Sequence, residues 1–305
     1  MTVQAASVRT LTIGSRGSAL ALWQANHVAE LLNARSIETR IEIIKTTGDH
    51  LQTASLTQAG GKGLFTKEIE QALLDRSVDI AVHSLKDLPT EMTPGLTLAA
   101  VPAREDPRDA LIGATLAALP RSARIGTSSS RRGAQLRYVR PDLVIEPVRG
   151  NVDTRLRKLK EGQYDAIVLA AAGLKRLGFD TEIAEILSPE QSCPAPGQGA
   201  LGIQTRVGDA AEEICRELDD ADTHAAVEAE RTVLAGLGGG CQLPIGAFAE
   251  KVGTMWSVMG IVIAPDGSRL VREKIARSGN PVAAAMAIVQ ELLARGAAQI
   301  LSPKQ

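Results

Sequence analysis

Two proline-bearing breaks, set inside a repeating strand-helix pattern, constrain the fold of this chain more than any other feature. The first is Val101-Pro-Ala-Arg-Glu-Asp-Pro107, and the second is the Pro- and Gly-rich stretch from Ser188 to Gly199. Before the first, Leu11–Ile13, Ile41–Ile44 and Val78–Val82 read as strands, with helices after Ser18 and over Thr66–Asp75. Ser18 is a suitable N-cap, and Leu20, Trp23, Val28 and Leu31 follow it near helical spacing. Between the breaks, Arg124–Thr127, Leu143–Val148 and Ala166–Ala170 read as strands, and Val152, Leu156 and Leu159 mark a helix face. Such alternation predicts mostly parallel sheets covered by helices.

After the second break, Leu201–Thr205 is again strand-like. The two breaks form a matched pair if this strand returns to the first lobe. The expectation is an α/β protein in which two lobes, crossed twice, face each other over a hinged cleft where a ligand binds. The last part changes character. His224–Leu237 is helical, Met255–Ile263 and Arg269–Ala276 flank the turn signal Pro265-Asp-Gly267, and Pro281–Arg295 is an amphipathic helix opened by Pro. The expected domains are 1–101 with 200–219, 102–199, and a small α+β unit over 220–305.

At 305 residues the chain exceeds one ordinary core. Aromatics are 2% and the net charge is −1, which argues against a base-stacking or electrostatic nucleic-acid surface. No apolar run approaches a membrane span, and the first ten residues lack the pattern of a secretory signal. Three cysteines make no disulfide framework. A cytoplasmic protein with no nucleic-acid or membrane partner is expected.

Charge is concentrated locally. Nine Arg and two Lys lie between Arg121 and Lys160, against Asp142, Glu146 and Asp153, a surplus of eight. A solvated basic face would give the same count. Placement favours a site, because Arg131, Arg132 and Arg149 each follow a strand where a helix begins. Carboxyl ends of strands line the crevice of an open α/β sheet, helix N-termini offer N–H groups to anions, and Arg grips carboxylate or phosphate with two bonds. His83-Ser-Leu-Lys-Asp-Leu-Pro89 closes an apolar strand and sets the Asp87 carboxylate beside Lys86, where it can move a proton or stabilise a cation. A strand-ending turn with a local ion pair is the plainer reading. Ser84 lacks a nucleophile elbow. Gly238-Gly-Gly-Cys241 strips the chain of side chains before one thiol, so a bulky group can reach it covalently. Cys215 reads as a buried hydrophobe, Cys193 is open to either reading, and no metal-ligand spacing is present. Gly60-Gly-Lys-Gly-Leu-Phe65 lacks the phosphate-loop spacing and reads as a substrate-covering loop or a surface turn.

These motifs, with Gly-Ser-Arg16-Gly-Ser18, Arg104-Glu-Asp-Pro-Arg-Asp109, Gly126-Thr-Ser-Ser-Ser-Arg-Arg132, Arg149-Gly-Asn-Val-Asp-Thr-Arg155, Ala172-Gly-Leu-Lys-Arg176, Pro196-Gly-Gln-Gly-Ala200 and Gly240-Cys-Gln-Leu-Pro-Ile-Gly246, resemble the hydroxymethylbilane synthase (porphobilinogen deaminase) family in order and over nearly the whole chain. The resemblance implies two lobes like type II periplasmic binding proteins plus a small third domain. It implies a dipyrromethane cofactor joined by a thioether to Cys241, and stepwise addition of four porphobilinogen units with loss of ammonia. Hydrolysis then frees the linear tetrapyrrole. It assigns the cofactor to Lys86, Asp87, Thr127, Ser129, Arg131, Arg132 and Arg155. The incoming unit falls to Arg16, Ser18, Arg149, Arg155, Arg176 and Gln198, and the covering loop carries Lys62 and Phe65. Asp87 is the implied catalytic group, assisting ammonia loss and stabilising the azafulvene cation. No metal is implied, and the chain is expected to act as a monomer. Gln58, Gln204 and Gly238 depart from the common pattern, where Lys, Glu and Glu are frequent. Outside that family, a hinged carboxylate- or phosphate-binding protein without turnover fits the same cleft. A basic regulator or nucleic-acid binder fits only the Arg-rich stretch.

Overall fold

The computed structural model describes residues 10–47, 66–239 and 243–301. The chain opens with Leu11–Ser15 (β1), Ala19–Asn33 (α1), Thr39–Ile43 (β2), Lys67–Leu74 (α2), Ile80–Ser84 (β3) and Leu96–Ala100 (β4). After the first break come Asp109–Ile112 (β5), Arg124–Gly126 (β6), Ser130–Val139 (α3), Val144–Glu146 (β7), Val152–Lys160 (α4), Ala166–Ala170 (β8), Ala171–Arg176 (α5) and Ile183–Ile186 (β9). After the second come Leu201–Arg206 (β10), Ala210–Arg216 (α6), Ala221–Gly236 (α7), Ile245–Val252 (β11), Met255–Ile263 (β12), Leu270–Ser278 (β13), Pro281–Ala294 (α8) and Ala297–Leu301 (α9).

The first sheet has the order β2-β1-β3-β10-β4 and the second β7-β6-β8-β5-β9. The return of Leu201–Arg206 to the first sheet is as the paired breaks require. The sheets are mixed, however, and not simply parallel. In the first, β10 runs against both β3 and β4; in the second, β5 runs against both β8 and β9. Each reversed strand is the one that follows a crossing. A crossing reaches its lobe at the end where the parallel strands finish, so the next strand must run away from that end. β4, β5, β9 and β11 are strands that the sequence pattern left unassigned.

Period-two alternation builds the second lobe. Leu111 packs with Ile125, Leu136 and Val168 on one face, while Ala110 and Ile112 pack with Leu156, Ile167 and Leu174 on the other. In the first lobe, Leu11, Ile13, Ile80, Val82 and Ile203 meet Val28 and Leu32 of α1. Ser18 caps α1, its hydroxyl accepting from the Ala21 amide at 3.3 Å. The buried face of α1 is Gln24, Ala25, Val28, Ala29 and Leu32; of the expected Leu20, Trp23, Val28 and Leu31, Val28 is buried and Leu31 packs partly buried against the same core, while Leu20 and Trp23 turn elsewhere. Leu20 lines a cavity between the lobes and Trp23 meets an arginine there, so two apolar positions serve the cleft and not the core.

The last sheet is antiparallel, β11-β12-β13. One face carries Trp256, Val258 and Val262 against Val233 of α7 and Ile288 and Leu292 of α8. Gly260 is required there, since a Cβ would come within 2.6 Å of Ile288. The other face sets Met259, Ile261 and Ile263 against Ala134 and Cys193 of the second lobe. No described helix is long and apolar enough to cross a membrane.

Candidate active site

Topology gathers the charged motifs at one place. Arg16 and Ser18 follow β1, Lys86 and Asp87 follow β3, Thr127 to Arg132 follow β6, Arg149 follows β7, and Arg176 ends the helix after β8. All are carboxyl ends of parallel strands, where an open α/β sheet holds its ligand. The reversed strands begin at the same ends: Asp109 opens β5 opposite Ala170, and Leu201 opens β10 opposite Ser84.

A cavity of about 230 Å³ lies between the lobes, with Arg16, Ser18, Lys86 and Asp87 on one side and Arg132, Arg155 and Arg176 on the other. Its lining holds five cations against Asp87 and Asp153, a surplus of three positive charges. That volume lies below the usual range of ligand pockets, roughly 300 to 1,000 Å³, so the lobes stand close together across it. Burial pushes the Lys86 ammonium down to about 8, with the Asp87 carboxylate opposing that shift and Arg132 adding to it. Burial likewise lowers Arg155, helped by Arg132, and Arg176, opposed by Glu105, each to about 10. Arg155 Nε donates to Gly150 O at 2.8 Å, and Arg176 Nη2 donates to Gly199 O at 2.7 Å. These bonds use part of each guanidinium fork and aim the rest.

Beneath Arg132 is the carboxylate of Asp109, the last residue of one of the resembling motifs but not among the expected site residues. Asp109 is fully buried and accepts from Arg131 Nη1 at 2.9 Å, Arg132 Nε at 2.9 Å, Ser192 Oγ at 2.8 Å and Gln198 Nε2 at 2.8 Å. Burial alone would push its carboxyl upward. The two guanidiniums outweigh burial and hold it well below the usual carboxylate range. Arg131 also donates to the Cys193 carbonyl, and Arg132 Nη2 donates to Gln198 Oε1 at 3.2 Å.

The expected site residues therefore divide. Arg16, Ser18, Lys86, Asp87, Arg132, Arg155 and Arg176 line the cavity; Thr127, Ser129, Arg131, Arg149 and Gln198 do not. Ser129 caps α3, accepting from the Arg132 amide at 3.4 Å, and the Thr127 hydroxyl accepts from the Ser129 amide at 3.2 Å. Gln198 donates to Pro107 O at 2.6 Å, and Arg149 is exposed. Gln24 and Ser84 join the lining, the Gln24 amide donating to Ser84 Oγ at 2.8 Å. Cys241, Lys62, Phe65 and Gln58 lie outside the described residues.

Ser84 and His83 form no hydrolytic pair. His83 is buried, and Nε2 donates to Gln204 Oε1 at 3.1 Å, whose Nε2 donates to Glu70 Oε1 at 2.9 Å. Burial lowers the His83 imidazole, against the pull of Gln204, Glu70 and Asp87. An amide at 204 joins a donor to a carboxylate, whereas a carboxylate there would face Glu70 directly. Cys193 and Cys215 are both buried, and burial pushes each thiol up to about 12, which makes them inert. No group of three His, Cys, Asp or Glu side chains placed to hold a metal occurs among the described residues.

Comparison with known proteins bears on the same residues. Residues 11–213 match the family model "Porphobilinogen deaminase, dipyromethane cofactor binding domain", and 224–296 match "Porphobilinogen deaminase, C-terminal domain". The porphobilinogen deaminase of Sorangium cellulosum is 54% identical over 86% of this chain and 89% of its own length. That of Syntrophotalea carbinolica is 50% identical over 97% and 96%, and that of a Roseiflexus species 48% over 96% and 99%. Among solved structures, the methionine-binding protein MetQ aligns over 73% of this chain and 94% of its own, with 9% identity and a TM-score of 0.45.

Proposed function

The chain belongs to the porphobilinogen deaminase family, and on that premise we propose how its own residues carry the family's reaction. The activity is that of hydroxymethylbilane synthase in tetrapyrrole biosynthesis, with a dipyrromethane cofactor. The donor set fits such a group: five cations against two carboxylates in one cavity suit a ligand with several carboxylates. When bound, the dipyrromethane would supply the terminal pyrrole carbon that takes the first unit, each later unit joining the ring added before it.

Cys241 anchors that group. Lys86, Arg132 and Arg155 hold its carboxylates within the cleft, with Arg131, Thr127 and Ser129 fixing the helix start from which Arg132 projects. Arg16, Ser18 and Arg176 receive the acetate and propionate of porphobilinogen, Arg149 guides it from outside, and Gln198 orients Arg132. Asp87 is exposed to the cleft beside Lys86. Its carboxylate relays a proton as ammonia leaves and stabilises the positive charge developing on the pyrrole nitrogen. At about 230 Å³ the cavity is smaller than the two-ring primer with an incoming unit, so the lobes must part to hold both and part further as the product lengthens.

The three sheets support a reading of the chain as three units, 1–101 with 200–219, 102–199 and 220–305. We infer a monomer, and place it in the cytoplasm, where free thiols such as Cys193 and Cys215 persist.

The surplus of positive charge facing Asp87 across one cavity carries this reading. Its test is Asp87→Ala. Turnover of porphobilinogen is expected to fall about 10²- to 10⁴-fold, the usual worth of a positioned acid-base group, with melting temperature and intact mass unchanged. Substantial turnover in that variant removes Asp87 from the chemistry.

A further inference from the structure

The sequence contains only two tryptophans, and they are used differently. Trp256 belongs to the apolar core of the last unit. Trp23 is half-buried on α1 and is absent from the apolar cluster that α1 forms with the first sheet. Across the cleft, at the end of α5, the Arg176 guanidinium carbon stands 5.4 Å from the centroid of the Trp23 ring. One helical turn along α1, His27 stacks on the same ring, with centroids 5.0 Å apart and planes 16° from parallel. An aromatic ring on the first lobe thus faces a cation on the second, inside the distance at which the ring quadrupole attracts it.

Arg176 has a second anchor, the Gly199 carbonyl, which takes one N–H of its fork. A guanidinium tethered by one bond turns about that bond. A ring lying against it fixes its plane and leaves the remaining N–H groups directed at the cavity that Arg176 lines. We propose that Trp23 is a positioning residue for Arg176: it holds the guanidinium across the gap between the lobes in the orientation that receives a carboxylate of porphobilinogen. The stack is also a contact between the lobes, so it favours the closed arrangement in which both walls reach one substrate. This role rests on Arg176 being a substrate cation, and the tests separate the two.

Kinetics come first. Trp23→Leu raises KM for porphobilinogen about tenfold, within the range of a partly desolvated cation–π contact, and leaves kcat within about twofold. Trp23→Phe, which keeps a ring, restores most of the affinity. In an Arg176→Leu background, Trp23→Leu adds no further effect. An equal effect of Trp23→Leu in both backgrounds means that Trp23 does not act through Arg176 and overturns the proposal. Unchanged kinetics of Arg176→Leu at unchanged melting temperature removes Arg176 from the site, and the proposal falls with it. The second measurement needs no turnover. In Trp256→Phe protein, Trp23 is the sole tryptophan, and Arg176→Leu is expected to increase acrylamide quenching of its emission by uncovering the ring. Quenching indifferent to Arg176 contradicts the contact, even if Trp23→Leu itself fails to fold.

Discussion

Two buried ionic centres lie close to the crossings, and they differ in charge balance. At the first, Glu230 of α7 accepts from Arg104 Nη1 at 2.7 Å and Nη2 at 2.9 Å, and from the amides of Gly197 and Ala249 at 2.7 and 2.9 Å. Arg104 Nε donates to Gln198 O at 2.8 Å. One guanidinium meets one carboxylate, and the pair ties both crossings to the last unit. At the second, the single carboxylate of Asp109 serves both Arg131 and Arg132, and one positive charge is left over beside the cleft. A balanced buried pair has nothing to offer a ligand and acts on stability. An unbalanced one remains short of an anion, and in the proposed function carboxylates of the cofactor fill that shortage.

The largest effect that separates the centres is on folding. Glu230→Gln leaves Arg104 buried without its counter-charge and is expected to cost about 3–5 kcal/mol, read by denaturant unfolding, with kcat/KM per folded molecule unchanged. A loss of kcat/KM larger than the loss of folded protein breaks the distinction. Next is Arg132→Gln. Asp109 keeps Arg131, Ser192 and Gln198, so stability changes little. The cleft loses a charge-assisted contact worth about 1.5–3 kcal/mol, which lowers kcat/KM about 10- to 150-fold.

A pH effect sharpens the comparison further. Lys86 is held at about 8 against its ordinary 10.5, so its charged form is disfavoured by folding. Between those values the unfolded chain binds more protons than the folded one, and stability rises with pH. The penalty is fully present below about 8. Lys86→Met is therefore expected to be more stable than the native protein below pH 8, the difference closing as pH approaches 10.5. Native kcat/KM falls as pH passes 8 and the ammonium that holds the cofactor's carboxylates is lost. The same pH profile in Lys86→Met takes Lys86 out of anion binding. The smallest effect is that of Arg149→Ala. This exposed side chain contributes like a surface ion pair, about 0.2–1 kcal/mol, so KM rises up to about fivefold with unchanged melting temperature.

Much of this was legible in the sequence. The matched breaks placed β10 in the first sheet, and Arg16, Lys86, Asp87 and Arg132 share one cavity because each follows the carboxyl end of a strand, with Arg155 and Arg176 reaching it from the helices after β7 and β8. The rest depended on three-dimensional proximity. Asp109 looks like one more charge just after a charged break; its role arises because β5 enters reversed and brings its first residue under α3. Arg104 and Glu230 are 126 residues apart, and no local spacing connects them. Leu20 and Trp23 of α1 were misread as core because helical periodicity cannot tell a core-facing side chain from one facing a cleft. Cys193 resolves into a buried filler because a Cβ on Gly246 would come within 3.0 Å of its sulfur.

Unbalanced charge marks the centre proposed to hold the cofactor. Intact mass tests it most directly, measured on the native protein, Cys241→Ala, Glu230→Gln and Arg132→Gln purified alike. The account predicts a mass excess of two substituted pyrrole rings on the native and Glu230→Gln proteins, none on Cys241→Ala, and a largely bare Arg132→Gln polypeptide. A fully loaded Arg132→Gln beside a bare Glu230→Gln would contradict it.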